Sequence, residues 1–322
     1  MPVFFISIFF FIYAGESIEW TGSLCTHHKH VCGYPNDHSL RFFLVGDFGG
    51  QERHPYTTSL QREAAQTIDN ISAILRPQFF LNTGDNFYER GVRSVEDKRF
   101  NATFDSVFNY GKKENIPWYI TAGNHDYFGS IQAQLEYAKI NPRWIYPALY
   151  YPISYLFGRQ HRRYSDLTTV DIFVIDTIVL CGDTIMGGWN PWTREYIRPS
   201  DRPTGPKNVT AAEELWKWIE TSLRKSTANY IFVMGHYPVY STGTRGDTKC
   251  LRERLGDMLM KFKVNAYFAG HDHQVQHLRM IGPDGWTVHH VISGALSKVD
   301  RRYSPPSQVN ASNLNKRRKA PL

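Results

Sequence analysis

Five strand-like runs in this sequence end in a glycine followed at once by Asp, Asn or His, residue types that can bind metal ions or move protons. They are Gly46-Asp47, Gly84-Asp85, Gly123-Asn124-His125-Asp126, Gly235-His236 and Gly270-His271-Asp272-His273. One Gly-Asp pair alone usually just turns a chain. Here all five follow apolar runs with strand character, so strands ending at one edge would bring the side chains together. Two metal ions about 3.5–4 Å apart suit phosphate-ester cleavage, because one polarises a phosphoryl oxygen while the other generates hydroxide. Such a site needs hard oxygens and imidazoles, with one carboxylate shared between the ions. Asp47, Asp85, Asn124, His236, His271 and His273 offer that set. The spacing His271-x-His273 gives one turn two ligands, each able to face a different ion. Singly, the Asp residues could cap turns, Asn124 could shape one, and the His residues could be satisfied in a core. Their joint occurrence in this order favours the metal site.

The elements that must position these residues are legible from periodicity. Residues 41–45 form a continuous apolar run suited to a strand covered on both faces. Residues 56–75 carry Leu60, Ala64, Ala65, Ile68, Ile71 and Leu75 at helical spacing, and Pro77 ends the helix. A strand at 79–81, a helix at 95–107 opened by Ser94 and Asp97, and a strand at 118–121 follow. This alternation predicts right-handed crossovers and a mainly parallel sheet, with ligands at the carboxyl ends of its strands. Further on, strands are predicted at 150–157, 170–176, 230–234 and 264–269, and a hairpin at 274–281 and 286–292. Helices are predicted from a capping box at Thr210 to Arg224 and at 251–262. Residues 182–207 hold four Pro and four Gly without periodicity and read as a long exposed loop of the kind that acts as a lid or regulatory segment.

Composition narrows the class. A chain of 322 residues that is 42% hydrophobic can bury a large core. Residues 1–14 are almost wholly apolar but too short to span a bilayer, and Ala14, Gly15 and Ser17 follow, so 1–17 read as a secretory signal peptide. Secretion opens the four cysteines to two disulfides, Cys25 with Cys32 and Cys181 with Cys250. Sequons at Asn70, Asn101, Asn208 and Asn310 fit the same compartment. The stretch 25–32, with His27, His28 and His30, is a small metal clip or an exposed loop. Net charge is +7, but Lys298, Arg301, Arg302, Lys316, Arg317, Arg318 and Lys319 against Asp300 account for +6 of it. The charge therefore belongs to a basic, disordered tail at 300–322, and no nucleic-acid partner or membrane span is expected.

The ordered motif set resembles that of the metallophosphoesterases, the calcineurin-like superfamily. The fuller forms Gly46-Asp47-Phe48-Gly49-Gly50, Gly84-Asp85-Asn86-Phe87-Tyr88 and Gly235-His236-Tyr237-Pro238 look like purple acid phosphatases, most of all the small animal, tartrate-resistant type. The resemblance runs from about residue 42 to 294. Many relatives carry Asp-x-His in the first motif; here Gly49 stands at that His, and Tyr88 can replace it as a ligand, as the purple enzymes do. A phenolate prefers a hard, highly charged ion. The resemblance implies Fe(III) on Asp47, Asp85, Tyr88 and His273, and Fe(II), Zn(II) or Mn(II) on Asp85, Asn124, His236 and His271, with Asp85 bridging. His125 would orient the phosphate or protonate the leaving alcohol. Iron-bound hydroxide would attack phosphorus in line, at acidic pH because Fe(III) acidifies its ligands.

The implied fold is α/β, a four-layer arrangement of two packed mixed β-sheets flanked by helices over residues 38–299. The implied function is a secreted or lysosomal acid phosphatase, monomeric, acting on phosphomonoesters or phosphoproteins. The alternatives are a catalytically impaired metal- or polyanion-binding protein and a phosphodiesterase, the latter disfavoured by Gly49 and Tyr88. Cys181 and Cys250 match the family disulfide. Residues 182–207 match a loop whose cleavage raises activity in relatives, with Arg194, Arg198 and Arg202 as candidate cleavage points. Four positions depart from the pattern: Phe48 for Trp, Tyr127 for His, and Thr244 and Arg245 where Glu and His near the substrate are common. After Gly294 the family's last strands are expected to be missing, which would bare a sheet edge.

Overall fold

The strand–helix alternation of the first half is realised as one sheet of the computed structural model, which describes residues 9–13, 24–26, 31–35, 39–112, 115–158, 167–190 and 194–300. Strands β1 (Phe9–Tyr13), β2 (Leu24–Thr26) and β3 (Val31–Pro35) precede β4 (Ser39–Val45), helix α1 (Ser59–Leu75) and β5 (Phe79–Asn82). Then come β6 (Trp118–Ile120), α2 (Ile131–Tyr137) and β7 (Trp144–Ile145). A five-stranded sheet has the order β1-β4-β5-β6-β7, parallel from β4 to β7. Strand β1 pairs antiparallel with β4 at its edge. It lies inside the stretch read as a leader, so removal of that leader would leave β4 as the edge strand.

The second half builds the larger sheet. Its strands are β8 (Tyr151–Gly158), β9 (Thr168–Val174), β12 (Tyr230–Met234), β13 (Ala266–Ala269), β14 (Val275–Ile281) and β15 (Thr287–Ser293). Between them lie α3 (Thr177–Cys181), a ribbon of β10 (Gly188–Asn190) and β11 (Glu195–Ile197), α4 (Val209–Lys225) and α5 (Lys249–Lys261). The eight-stranded order is β14-β15-β13-β12-β9-β8-β3-β2, with parallel and antiparallel pairs mixed. The two sheets pack face to face through aromatic side chains. Phe79 stacks on Phe42 at 5.0 Å and on Tyr155 of the opposite sheet at 4.4 Å, and Phe42 meets Phe268 at 6.1 Å. Offset ring contacts of this kind stabilise the layer beyond the area they bury. Helix α1 buries Ala64, Ala65 and Ile68 in the same core, while Leu215, Ile219, Leu251 and Leu255 of α4 and α5 form a second core with Val233 and Tyr267. The four-layer expectation is met.

Several elements differ from the sequence reading. The helix expected at 95–107 is a short π-helical segment, Phe100–Asp105, among turns. Asp97 spends its carboxylate on the backbone N–H groups of Arg93 and Arg99, and the buried Arg99 reaches the carbonyls of Gly91, Gly49 and Tyr88 instead of lying along a helix. Helix α4 starts two residues before the Thr210 box, because Asn208 Oδ1 accepts the Ala211 N–H at 3.0 Å. Residues 182–207 are not featureless: besides the ribbon, Ile185 bridges Ser200 and the base closes through Gly205 N–H to Cys181 O at 2.9 Å.

Residues 25 and 32 face each other in the β2–β3 register at the end of the large sheet, while His27, His28 and His30 lie outside the described residues. Cys181 and Cys250 form the expected disulfide, joining α3 to α5 across 69 residues with Cα atoms 5.8 Å apart. On the chain-entropy account a loop of that size is worth about 4 kcal/mol.

The segment after Gly294 is also folded. Ala295, Leu296 and Ser297 are buried, and Ser297 donates through both N–H (3.1 Å) and Oγ (2.5 Å) to the Asp47 carbonyl. Asp300 N–H donates to His273 O at 2.9 Å. Lys298, counted with the tail in the charge argument, therefore belongs to the folded domain. Residues 301–322, with most of the basic tail and Asn310, lie outside the described residues.

Candidate metal centre

The five motifs converge where the strands of both sheets end. Asp47, Asp85 and His271 all take positive φ, 57°, 54° and 69°, a region uncommon for non-glycine residues, though Asp and His enter it more readily than most. Three non-glycine residues in that region at one place mark a site whose surroundings fix the backbone. The neighbouring glycines make room for it. A Cβ on Gly123 would stand 2.1 Å from Asp85 Oδ1, and one on Gly270 would stand 2.4 Å from Asp47 Oδ2.

One group of side chains gathers around the Tyr88 hydroxyl. It donates to Asp47 Oδ1 at 2.9 Å and lies 2.9 Å from His273 Nε2, which is 3.4 Å from the same Asp47 oxygen. A second group gathers around His236. Its Nε2 is 3.0 Å from Asn124 Oδ1 and 3.5 Å from Asp85 Oδ1, while Nδ1 faces the Thr83 carbonyl at 2.8 Å. A proton on Nδ1 satisfies that carbonyl and leaves Nε2 open as a ligand. Asn124 Nδ2 donates to Thr184 Oγ1 at 2.9 Å, which turns its carbonyl oxygen toward His236. The His271 ring lies 5.1 Å from that of His236. Asp47, Asp85 and His236 place donor atoms within 4.8 Å of one another, so the groups adjoin.

Electrostatics describe a site short of positive charge. Asp47 is pushed up to about 8 by burial and then by the Asp85 carboxylate. For Asp85, burial pushes upward but His236 and His125 outweigh it, and its pKa is lowered. Burial holds His271 well below the ordinary imidazole range and brings His273 down to about 4, so both stay neutral. Burial and the two carboxylates raise the Tyr88 phenol well above 10. Buried carboxylates beside neutral imidazoles and a phenol need cations, and the donors are those hard and borderline ions prefer. The residues fit a dinuclear centre.

Sequence reasoning missed the residues that hold these loops. Asp126 accepts from Asn86 N–H (3.0 Å), Phe87 N–H (3.2 Å), Gly123 N–H (2.8 Å) and Gln134 Nε2 (2.9 Å), clamping two motif loops with one carboxylate. Burial, then Asp85, raises it to about 7. Asn86 Nδ2 donates to Thr121 O and Gln134 Oε1. Asp126 and Asn86 stood in the motifs and could have been found there; Gln134 and Arg99 carried no sequence signal.

At the rim, His125 Nδ1 lies 2.7 Å from the Glu89 carbonyl, and its backbone N–H donates to Asp85 Oδ1 at 3.0 Å. Lys298 pairs with Glu89 and sits 3.8 Å above the Tyr88 ring centroid. Arg245 Nε stands 3.7 Å from Asp201 and its Nη1 3.8 Å from Asp272. Burial opposes its charge, but Asp201, Asp47 and Asp272 together raise its pKa. The other departures are structural. Phe48 packs edge-on to Trp118 at 5.9 Å, Tyr127 donates to Asp176 Oδ2 at 2.7 Å, and Thr244 donates to Asp300 at 2.8 Å. Asn70, Asn101 and Asn208 are exposed, as are Arg194, Arg198 and Arg202. No helix among the described residues is long and apolar enough to cross a membrane.

The profile of the calcineurin-like phosphoesterases matches residues 40–275. The chain is 37% identical over 262 residues to tartrate-resistant acid phosphatase type 5 of Oryctolagus cuniculus, covering 81% of this chain and 74% of that protein. The Homo sapiens protein of the same name is 36% identical with the same coverage. Purple acid phosphatase 7 of Arabidopsis thaliana is 30% identical over 94% of this chain and 81% of its own length. Among solved structures, GAP50, the anchor in the inner membrane complex of Plasmodium, superposes with a TM-score of 0.63 at 24% identity, over 82% of this chain and 76% of that one, a likeness of fold.

Proposed function

The chain belongs to the calcineurin-like phosphoesterase family, in its purple acid phosphatase branch, and from that premise we propose a secreted or lysosomal acid phosphatase that hydrolyses phosphate monoesters. The observation that carries the reading is the Tyr88 hydroxyl, 2.9 Å from both Asp47 Oδ1 and His273 Nε2 beside the Asp85–His236 pair. Asp47, Asp85, Tyr88 and His273 would hold Fe(III), and Asp85, Asn124, His236 and His271 would hold Fe(II), Zn(II) or Mn(II). Bound there, the ions supply Lewis acidity and an activated water.

The chain's own residues do the rest. Asp85 supplies the shared carboxylate, and Thr83 and Thr184 aim His236 and Asn124. With Nδ1 held by the Glu89 carbonyl, His125 is free to present Nε2 to a phosphoryl oxygen or to the departing alcohol. Signal removal at 1–17 and glycans at Asn70, Asn101 or Asn208 belong to the same reading. Asn208 can carry one without losing its cap, because the cap uses Oδ1 and a glycan uses Nδ2.

The test is expression of the chain with iron, measurement of metal content and visible spectrum, and assay of p-nitrophenyl phosphate at acidic pH. A purple, active protein whose colour is lost in Tyr88→Phe is expected. A purple but inactive protein would favour the metal-binding alternative, and a colourless one without iron would refute the role of Tyr88. The exposed Arg194, Arg198 and Arg202 make the 182–207 loop a regulatory segment in this reading. Tryptic nicking there is expected to raise turnover, and unchanged turnover in the nicked protein removes the idea.

A further inference from the structure

Two cations stand at the rim of the ligand set, and their surroundings differ. Lys298 has its charge matched by Glu89 and its ammonium laid over the Tyr88 ring. Arg245 has carboxylates near its guanidinium but none at bonding distance. Its side chain is only 16% exposed, its Nε has no hydrogen-bond partner, and its carboxylate neighbours stand at 3.7 and 3.8 Å, beyond hydrogen-bond length. Asp272 is already engaged by the Ser241 hydroxyl, and Asp201 is 66% exposed, where an ion pair contributes little. A desolvated guanidinium fork without an acceptor at bonding distance suits a carboxylate or phosphate oxygen pair.

Its position says which part of a substrate could reach it. On one side Arg245 Nη1 stands 3.8 Å from Asp272, which lies between His271 and His273 in the chain, and on the other its Nε faces Asp201, from the loop carrying the β10–β11 ribbon. The scissile phosphoryl group belongs to the ligand set, so the loop side of Arg245 faces the alcohol half. We propose that Arg245 is a specificity-determining residue that receives a second anionic group, carboxylate or phosphate, on the alcohol half of the phosphomonoester. This rests on the acid phosphatase reading above. In the absence of such a group, Asp201 stands nearest to the place it would take.

Three matched esters test it in the metal-loaded enzyme: phenyl phosphate, 4-carboxyphenyl phosphate and 1,4-phenylene bisphosphate. Arg245→Gln is expected to raise KM for the two charged esters roughly 10–100-fold more than for phenyl phosphate, with the difference in KM and not in kcat. Arg245→Lys should fall between, since a point charge replaces a fork. The charged ester that loses more identifies the second anion as carboxylate or phosphate. Equal losses on all three esters, or none on any, would overturn the proposal. If the unsubstituted enzyme hydrolyses none of them, the phosphatase reading fails, and calorimetry still decides the role of Arg245. Binding of 4-carboxyphenylphosphonate should be about tenfold tighter than that of phenylphosphonate, and Arg245→Gln should abolish the difference. Equal affinities in the unsubstituted protein would overturn the proposal.

Discussion

The two halves of the ligand set are built from the same materials and held in opposite ways. Around Tyr88, Asp47 and His273 the side chains satisfy one another: a phenol proton sits on a carboxylate that burial has pushed up to about 8, beside an imidazole brought down to about 4. Around His236 the side chains are satisfied from outside, by the Thr83 carbonyl and the Thr184 hydroxyl, with their ligand atoms turned inward. The first half must lose the phenol proton, and below about pH 8 the Asp47 proton as well, to bind an ion, which suits the strongly acidic cation proposed there. The second needs to lose none and suits a divalent one. The difference in charge between the proposed ions follows from how each half is held.

Asp85 is the link between the halves, and breaking it has the largest expected effect. Asp85→Ala should remove both ions together and lower kcat by roughly 10³-fold or more, read by metals per chain and p-nitrophenyl phosphate turnover. Retention of one ion would mean the halves are independent. His125 meets the ligand set through its backbone N–H to Asp85 and through its ring, edge-on to that of Tyr88 at 4.7 Å, but offers no atom to the ions in the proposed set. His125→Ala should keep both ions and lower kcat by roughly 10²–10³-fold. Lost metal there would make His125 part of the centre's framework.

The smallest effect separates the carboxylates from the imidazoles by their protons in the metal-free protein. Asp47 and Asp126, at about 8 and about 7 against an ordinary 3.8, keep protons when folded that the unfolded chain releases. Their contribution is complete below about pH 4 and is lost as pH rises through 7 to 8. His271 and His273, lowered from 6.5, act oppositely: their contribution is complete above pH 6.5 and lost as pH falls toward 4. From pH 6.5 to 8 only the carboxylates change. Metal-free stability should therefore fall over that window, by on the order of 1–2 kcal/mol per group. Denaturant unfolding with and without ions measures it; the loaded protein should show a flat profile, and a flat metal-free profile would count against the raised carboxylates.

Much of this was legible from residue order. Glycine followed by a ligand type, at the end of a buried run, named six of the seven proposed ligands, because a strand end fixes which side chain leaves the sheet first, and the resemblance to the purple enzymes supplied Tyr88. The parallel order β4-β5-β6-β7 followed from helix and strand periods. The failures have different causes. The 95–107 helix was a local reading overridden by distant partners, Arg99 reaching the Gly49 and Tyr88 carbonyls, whereas the Thr210 cap lost to a local competitor, Asn208 two residues earlier. Lys298 was counted with the charge of the tail, while its neighbours, Glu89 and Tyr88, lie some 200 positions earlier in the chain.

By itself, then, the sequence determined the candidate ligand types and their order along the chain, and put Tyr88 forward as the proposed replacement for a histidine. Only the tertiary structure decided which ligands share a neighbour, that Asp126 and Arg99 hold the loops, and that Arg245 is left without an acceptor. Ligand identity is a property of single positions, whereas burial, proton location and unmet hydrogen bonds depend on packing two sheets whose strands are far apart in the chain.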